Sequence, residues 1–235
     1  MASGAKVQRN PDIADKAEIL SSHPLFGQLS PEIRDRLSAY SKMLTVKRGS
    51  VIFSKGDLGT SLYTVRSGTV QISGPSAAGK SAVFNFIGEG EIFGEIALLD
   101  GGPRTADAIA FSDCTLTAIE RRDFVPILRL YPDLPIYLLE ILCSRLRRTT
   151  EQVEDLMFLD LRTRLVKTIL RMSEMAKSEH TITLSQSELS QIVGLSREMI
   201  NKQLQLWVKN GWIKLERRRI TILNRAALSR IAKNV

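Results

Sequence analysis

Phe93-Gly-Glu-Ile-Ala-Leu98, followed four residues later by Pro103-Arg-Thr-Ala106, is the stretch on which the reading of this chain turns. It holds a carboxylate at Glu95, a turn at Gly94 with backbone N–H groups to spare, and an arginine nine residues beyond the carboxylate. An arginine fork suits an anionic phosphate, backbone donors can stand beside it, and a carboxylate accepts from a sugar hydroxyl. The plainer alternative is a glycine-rich turn carrying a surface Glu–Arg pair, which gives no reason for this order of residue types.

Around that stretch, from Leu44 to Ile119, short β runs alternate with turns. Val51-Ile-Phe53, Ser61–Val65, Thr69–Ile72, Ala82–Ile87 and Cys114–Ile119 are predicted strands, punctuated by Gly49, Gly56, Gly59, Gly68, Gly88 and Gly90. Many short strands at this spacing predict a jelly roll or barrel. Upstream, Ile19, Leu20, Leu25, Phe26, Leu29, Ile33, Leu37 and Tyr40 are spaced as in short helices, with Pro31 placed for a first helical position. The first residues are polar and lack a secretory h-region. Downstream, helix is expected from about Arg122 past Asp133, and again from about Leu161 to Ala176. Four segments are expected: a tail over 1–19, a β domain over 20–130, a long helix and hinge over 131–160, and a basic domain over 161–235.

Gly74-Pro-Ser-Ala-Ala-Gly-Lys-Ser81 satisfies the pattern of a nucleotide-hydrolase phosphate loop. Such a loop needs a helix after it, because the helix N-terminus supplies the anion site. Here Ala82-Val-Phe-Asn-Phe-Ile87 follows, β-branched and aromatic and stopped by Gly88. A hairpin loop fits better, and the hydrolase reading is rejected.

Charge is unevenly placed. Residues 161–235 carry 15 Lys and Arg against 5 Asp and Glu, whereas residues 1–160 carry 18 against 20. The basic last third suggests a polyanionic partner, although on charge alone a solvated basic face is the plainer reading. Two cysteines are too few for a disulfide framework or a metal cluster, and they fit a reducing cytoplasm. No run approaches about 18 consecutive apolar residues, so no membrane span is expected. No nucleophile–base constellation appears, so no enzyme is expected either.

Leu139, Leu142, Leu146, Thr149, Val153 and Leu156 follow steps of 3, 4, 3, 4 and 3. Such a heptad seam predicts two helices side by side, most simply a homodimer. An amphipathic helix lying on its own domain is the alternative. Thr149, with Thr150 after it, puts hydroxyls into the seam, where a polar residue sets register or meets a ligand.

In the basic third, Ser185-Gln-Ser-Glu-Leu-Ser-Gln-Ile-Val193 opens with a capping box, Gly194-Leu195 breaks the helix, and Ser196 caps a second helix, Arg197–Lys209. Two short helices joined by a tight turn predict a helix-turn-helix. Leu189, Ile192, Val193, Leu195, Ile200 and Leu204 form the expected inward set. Arg197, Glu198, Asn201, Lys202 and Gln205 fall on one outer face, and their side chains suit base edges. Gln186, Ser187 and Ser196 stand at the helix starts nearby. Lys214–Ile222 is read as a two-stranded wing whose Arg217 and Arg218 can touch phosphate.

Taken together, the chain resembles the CRP/FNR family of bacterial transcription regulators, in its cyclic-nucleotide-responsive branch. The order F-G-E-[IL]-A-L-x-x-x-x-P-R-[TSA]-A matches that family's phosphate-binding cassette, and cassette, long helix and winged helix-turn-helix follow over about residues 20–223. The resemblance implies an α+β fold: an N-terminal cyclic-nucleotide-binding β jelly roll, a long dimerisation helix and a C-terminal winged helix-turn-helix. It implies cyclic AMP, cyclic GMP or both as allosteric ligand and no metal. Glu95 would accept from the ribose 2′-OH, and Arg104 and Thr105 would hold the phosphate with backbone at Gly94, Ile96 and Ala97. Thr149 and Thr150, from the two subunits, would meet the purine. Arg197, Glu198 and Lys202 match the base-reading trio, with Lys202 where the family usually has arginine. Palindromic double-stranded DNA, a second copy of the chain and RNA polymerase are the implied partners. Pro103 and a loop one residue shorter than in the cyclic AMP receptor branch are departures. Thr105 is a residue that goes with cyclic GMP tolerance in eukaryotic cyclic-nucleotide domains. The competing expectations are a family member that binds DNA without ligand, and a cyclic-nucleotide module with a non-DNA partner.

Overall fold

The computed structural model describes Gly27, residues 29–75, 81–175 and 180–233. The expected tail over 1–19, the helical spacing of Ile19 to Phe26 and the loop 76–80 lie outside the described residues. The chain divides into two units that part within one helix, between Cys143 and Ser144.

In the first unit, α1 (Pro31–Tyr40) precedes β1 (Lys42–Val46), β2 (Val51–Phe53), β3 (Ser61–Ser67), β4 (Val70–Pro75), β5 (Ser81–Ile87) and β6 (Ile92–Phe93). Then come α2 (Glu95–Asp100), β7 (Asp107–Ala110), β8 (Cys114–Glu120) and α3 (Arg121–Leu130). The strands form two four-stranded sheets, β1-β8-β3-β6 and β2-β7-β4-β5. Alternate residues of both, including Val46, Val65, Val70, Phe93, Ala108 and Leu116, are buried in one core, as the period of a half-buried strand requires. This is the expected β roll. A second core joins Ile33 and Leu37 of α1, Phe124 and Ile127 of α3, and Leu62 and Ile119 of the first sheet. After Ser81 the chain is a strand and not a helix, in keeping with rejection of the hydrolase reading.

Helix does not run unbroken from Arg122 past Asp133. It stops at Leu130, and α4 (Asp133–Phe158) begins afresh. Pro132 disfavours helical backbone at the preceding residue, and Tyr131 is extended at φ −126° and ψ 94°. Leu134 and Leu138 of α4 are buried on the β domain's helices. Leu142 is half-buried, whereas Leu139, Leu146, Val153 and Leu156 are 49–68% exposed, so these four apolar positions of the heptad stripe lie open.

The second unit contains α5 (Leu161–Met175), β9 (Thr181–Ile182), α6 (Gln186–Val193), α7 (Arg197–Lys209), β10 (Ile213–Glu216), β11 (Arg219–Ile222) and α8 (Arg225–Lys233). The wing sheet is three-stranded, β10-β11-β9, not two-stranded: Thr181 and Ile182 pair with Thr221 and Ile220. Leu165, Ile169, Leu189, Ile200, Leu204, Trp207 and Ile220 are all buried in this unit. Of the expected inward set, Ile192 and Leu195 are only half-buried.

Candidate functional site

The cassette is built from a helix start and a loop that converge on one arginine. Gly94, in left-handed backbone at φ 80°, turns the chain from β6 into α2, so that Glu95 is its first residue and 3% exposed. The loop from Gly56 to Thr60 packs beneath: a Cβ on Gly59 would lie 2.1 Å from that of Ala97. Only glycine admits this approach. Arg104 is secured through its backbone, its N–H donating to Asp57 O at 2.8 Å and its carbonyl accepting from Gly56 N at 2.9 Å.

The Arg104 side chain is 4% exposed. Its Nη1 donates to Gly94 O at 2.8 Å and its Nη2 to Ser61 O at 2.7 Å, while the buried Nε has no partner. The guanidinium lies 4.2 Å from the centre of the Phe53 ring and 5.6 Å from that of Tyr63. Phe53, Tyr63 and Phe93 form a cluster with ring centres 5.0–5.9 Å apart, a cation-compatible floor. Burial lowers the Arg104 pKa from its usual value; Tyr63, Glu95 and Asp57 oppose that shift. At such a high starting value the group remains a cation at neutral pH. A Cβ on Gly94 would stand 2.6 Å from Arg104 Nη1, so the glycine also leaves room for the guanidinium.

Gly94, Glu95, Ile96, Ala97, Arg104 and Thr105 therefore share one locus. Ala97 is buried, whereas Ile96 and Thr105 are exposed. The aromatic floor and the Ser61 carbonyl were not singled out from sequence. They arrive from β2, β3 and β6, where aromatic residues look like ordinary core.

Thr149 and Thr150 stand exposed on α4 in the other unit. Their hydroxyls donate to the carbonyls of Arg145 and Leu146, each at 3.0 Å. A hydroxyl so engaged keeps acceptor capacity on its oxygen.

The helix-turn-helix forms as the caps predicted. Ser185 and Glu188 make a full capping box, Gly194 ends α6 at φ 73°, and Ser196 Oγ accepts from Met199 N at 3.2 Å. Arg197, Glu198, Asn201, Lys202 and Gln205 are all exposed on α7. Gln186 Nε2 donates to Asn201 Oδ1 at 3.2 Å, tying the head of α6 to the outer face of α7. Ser187 and Arg217 are exposed. Arg218 is engaged elsewhere, with its Nη2 2.8 Å from Glu188 Oε1. Among the described residues no group of His, Cys, Asp and Glu could hold a metal ion, and no helix is long and apolar enough to cross a membrane.

Residues 43–131 match the cyclic nucleotide-binding domain, and residues 163–231 match the Crp-like helix-turn-helix domain. The chain is 30% identical over 222 residues to the CRP-like cAMP-activated global transcriptional regulator of Mycobacterium tuberculosis, covering 92% of this chain and 99% of that one. It is 31% identical over 213 residues to the cyclic AMP receptor protein of Thermus thermophilus, covering 91% and 98%. Among solved structures it is similar to the c-di-GMP responsive global regulator CLP of Xanthomonas campestris, at a TM-score of 0.73 and 26% identity over 82% of this chain and 99% of that one. Cassette and winged helix-turn-helix in one chain define a cyclic-nucleotide-binding transcription regulator. The chain belongs to the CRP/FNR family.

Proposed function

We propose that cyclic AMP activates this regulator for sequence-specific binding to palindromic DNA as a homodimer. The observation that carries the reading is Arg104: a buried cation, laid on an aromatic floor, with an unpartnered Nε and two backbone carbonyls accepting from its Nη atoms. Those neutral partners leave its charge for an anion to match, and Glu95 beside it suits a ribose 2′-OH. Thr105 and the backbone at Gly94, Ile96 and Ala97 complete the phosphate side.

Relatives named as cAMP-activated or as a cyclic AMP receptor favour adenine as the base. The hydroxyls of Thr149 and Thr150 are compatible with it: each donates its proton to its own helix and offers an acceptor oxygen to the exocyclic amino group of adenine. The exposed apolar stripe of α4 supports a two-helix seam, at which ligand would be shared between subunits. In the activated dimer Arg197, Glu198, Asn201 and Lys202 of each subunit read one half-site, with recognition helices about 34 Å apart. Gln186, Ser187, Ser196 and Arg217 serve the phosphates.

Calorimetry with cyclic AMP and cyclic GMP side by side tests the ligand, followed by gel shifts against a random palindrome library with and without it. Binding of neither nucleotide, or equal DNA affinity in both states, would refute the reading.

A further inference from the structure

The wing makes a contact that base reading does not use. Arg218, in the turn between β10 and β11, adopts φ 60°, a region that disfavours a bulky side chain. Its guanidinium reaches back to α6, where Nη2 donates to Glu188 Oε1 at 2.8 Å. The other oxygen of that carboxylate accepts from Ser185 N at 2.7 Å, and Ser185 Oγ accepts from Glu188 N at 3.1 Å. One carboxylate thus closes the cap of α6 and grips the tip of the wing 30 residues further on. We propose that Glu188 and Arg218 form a clasp that fixes the wing against the helix-turn-helix, making Arg218 a positioning residue for DNA binding and not a phosphate contact.

Three features favour a clasp. An exposed ion pair is usually weak because two long side chains must be ordered to make it. Here the capping box already orders the carboxylate, whose side chain is only 23% exposed, so less freedom is lost. The second feature is the backbone of Arg218 itself: a strained conformation persists when its surroundings hold it, and Glu188 supplies such a hold. The third is electrostatic. Glu188 lies in the first turn of α6, where N–H groups attract phosphate, and an unmatched carboxylate there would repel DNA. Arg218 neutralises it. The adjacent Arg217, exposed in the same turn, remains available for phosphate.

The clasp rests on the DNA-binding reading above, and two variants separate it from a phosphate contact. Glu188→Gln keeps a residue that can complete the capping box but removes the charge. Arg218→Gly removes the side chain and relieves the left-handed backbone. Both are measured in the full chain with cyclic AMP, against a palindrome selected from random DNA, over a range of salt. The clasp requires each to weaken binding to the selected site several-fold, the double variant to be no weaker than either single one, and the salt slope to stay that of wild type. Arg218→Gly lowering the slope by about one phosphate's worth would overturn it. So would Glu188→Gln binding as tightly as wild type or more tightly, the result of simply deleting a negative charge near DNA. Tryptic cleavage after Arg217, Arg218 and Arg219, followed by mass spectrometry without DNA, should rise several-fold in Glu188→Gln. Unchanged cleavage rejects the clasp even if the wild type binds no DNA, an outcome that would instead refute the function proposed above.

Discussion

In the proposed reading Arg104 carries two duties, one structural and one toward the ligand, and they predict a double penalty for losing it. Its forked nitrogens satisfy the carbonyls of Gly94 and Ser61, so Arg104→Ala leaves part-buried acceptors short of a donor as well as removing the charge for the anion. The first effect should cost about 1–3 kcal/mol of stability, the second about 2–5 kcal/mol of ligand affinity. A thermal melt and calorimetry on the same variant check both. A stable variant that binds nucleotide like wild type would show the cassette to be misassigned. Gly94→Ala should harm the same site by another route, since its Cβ meets Arg104 Nη1 at 2.6 Å and its φ of 80° adds roughly 1–2 kcal/mol of strain. The sequence displays Gly94, Glu95 and Arg104 openly because they lie within a dozen residues and each has a chemical reason to be there. Phe53, Ser61 and Tyr63 were hidden because nothing local distinguishes a ring beneath a guanidinium from a ring in a core. Glu188 was half hidden: its capping role is local, but its bond to Arg218 depends on how a hairpin folds back.

At the scale of elements, patterns with a period were readable and those set by packing were not. Caps and heptads announced α6, α7 and α4. β6 has two residues, too few to show alternation, and β7 reads Asp-Ala-Ile-Ala because Ala108 and Ala110, 0% and 1% exposed, are kept small within the roll. β9 is two residues long and exists by pairing with β11. The junction between α4 and α5 gives a test of local stability. Asp160 Oδ1 accepts from Thr163 N at 2.8 Å and caps α5. Hydrogen bonding from Thr163, side chain first and backbone second, holds the Asp160 carboxyl below its ordinary pKa. A depressed folded value means stability that is complete above the ordinary carboxylate range and lost as pH falls through the folded value. Asp160→Ala should therefore cost about 1 kcal/mol at neutral pH, and the gap to wild type should close in strong acid. Melting both proteins across that range checks it, and a gap independent of pH would remove the cap from the account. In the proposed homodimer the exposed face of α4 is the seam, so Leu146→Glu should abolish dimerisation in sedimentation experiments, because two carboxylates would face each other there. A variant that sediments as the wild-type dimer would put the interface elsewhere.

At the scale of the whole molecule, function requires the ligand to do more than bind. A nucleotide shifts an equilibrium only by its difference in affinity for the two states, and a coupling of about 1–3 kcal/mol corresponds to roughly 5–150-fold in DNA affinity. In the function proposed above, Arg104 and Glu95, within the first unit, supply affinity in either state. Thr149 and Thr150, exposed on the portion of α4 that belongs with the second unit, are in that reading the groups that report occupancy. Thr150→Ala should keep a good share of cyclic AMP binding and lose much of the ligand-induced gain in DNA affinity. Removing the hydroxyl leaves the Leu146 carbonyl with its exposed surroundings, so the helix itself should survive. Thr149→Leu should act oppositely: it restores an apolar seam position, tightens the helix pair and biases the dimer toward one state without ligand. DNA affinity measured with and without cyclic AMP for wild type and both variants gives the coupling directly. If Thr150→Ala shows the full wild-type gain, the hydroxyls only pack the seam, and the signal must leave the cassette by another path.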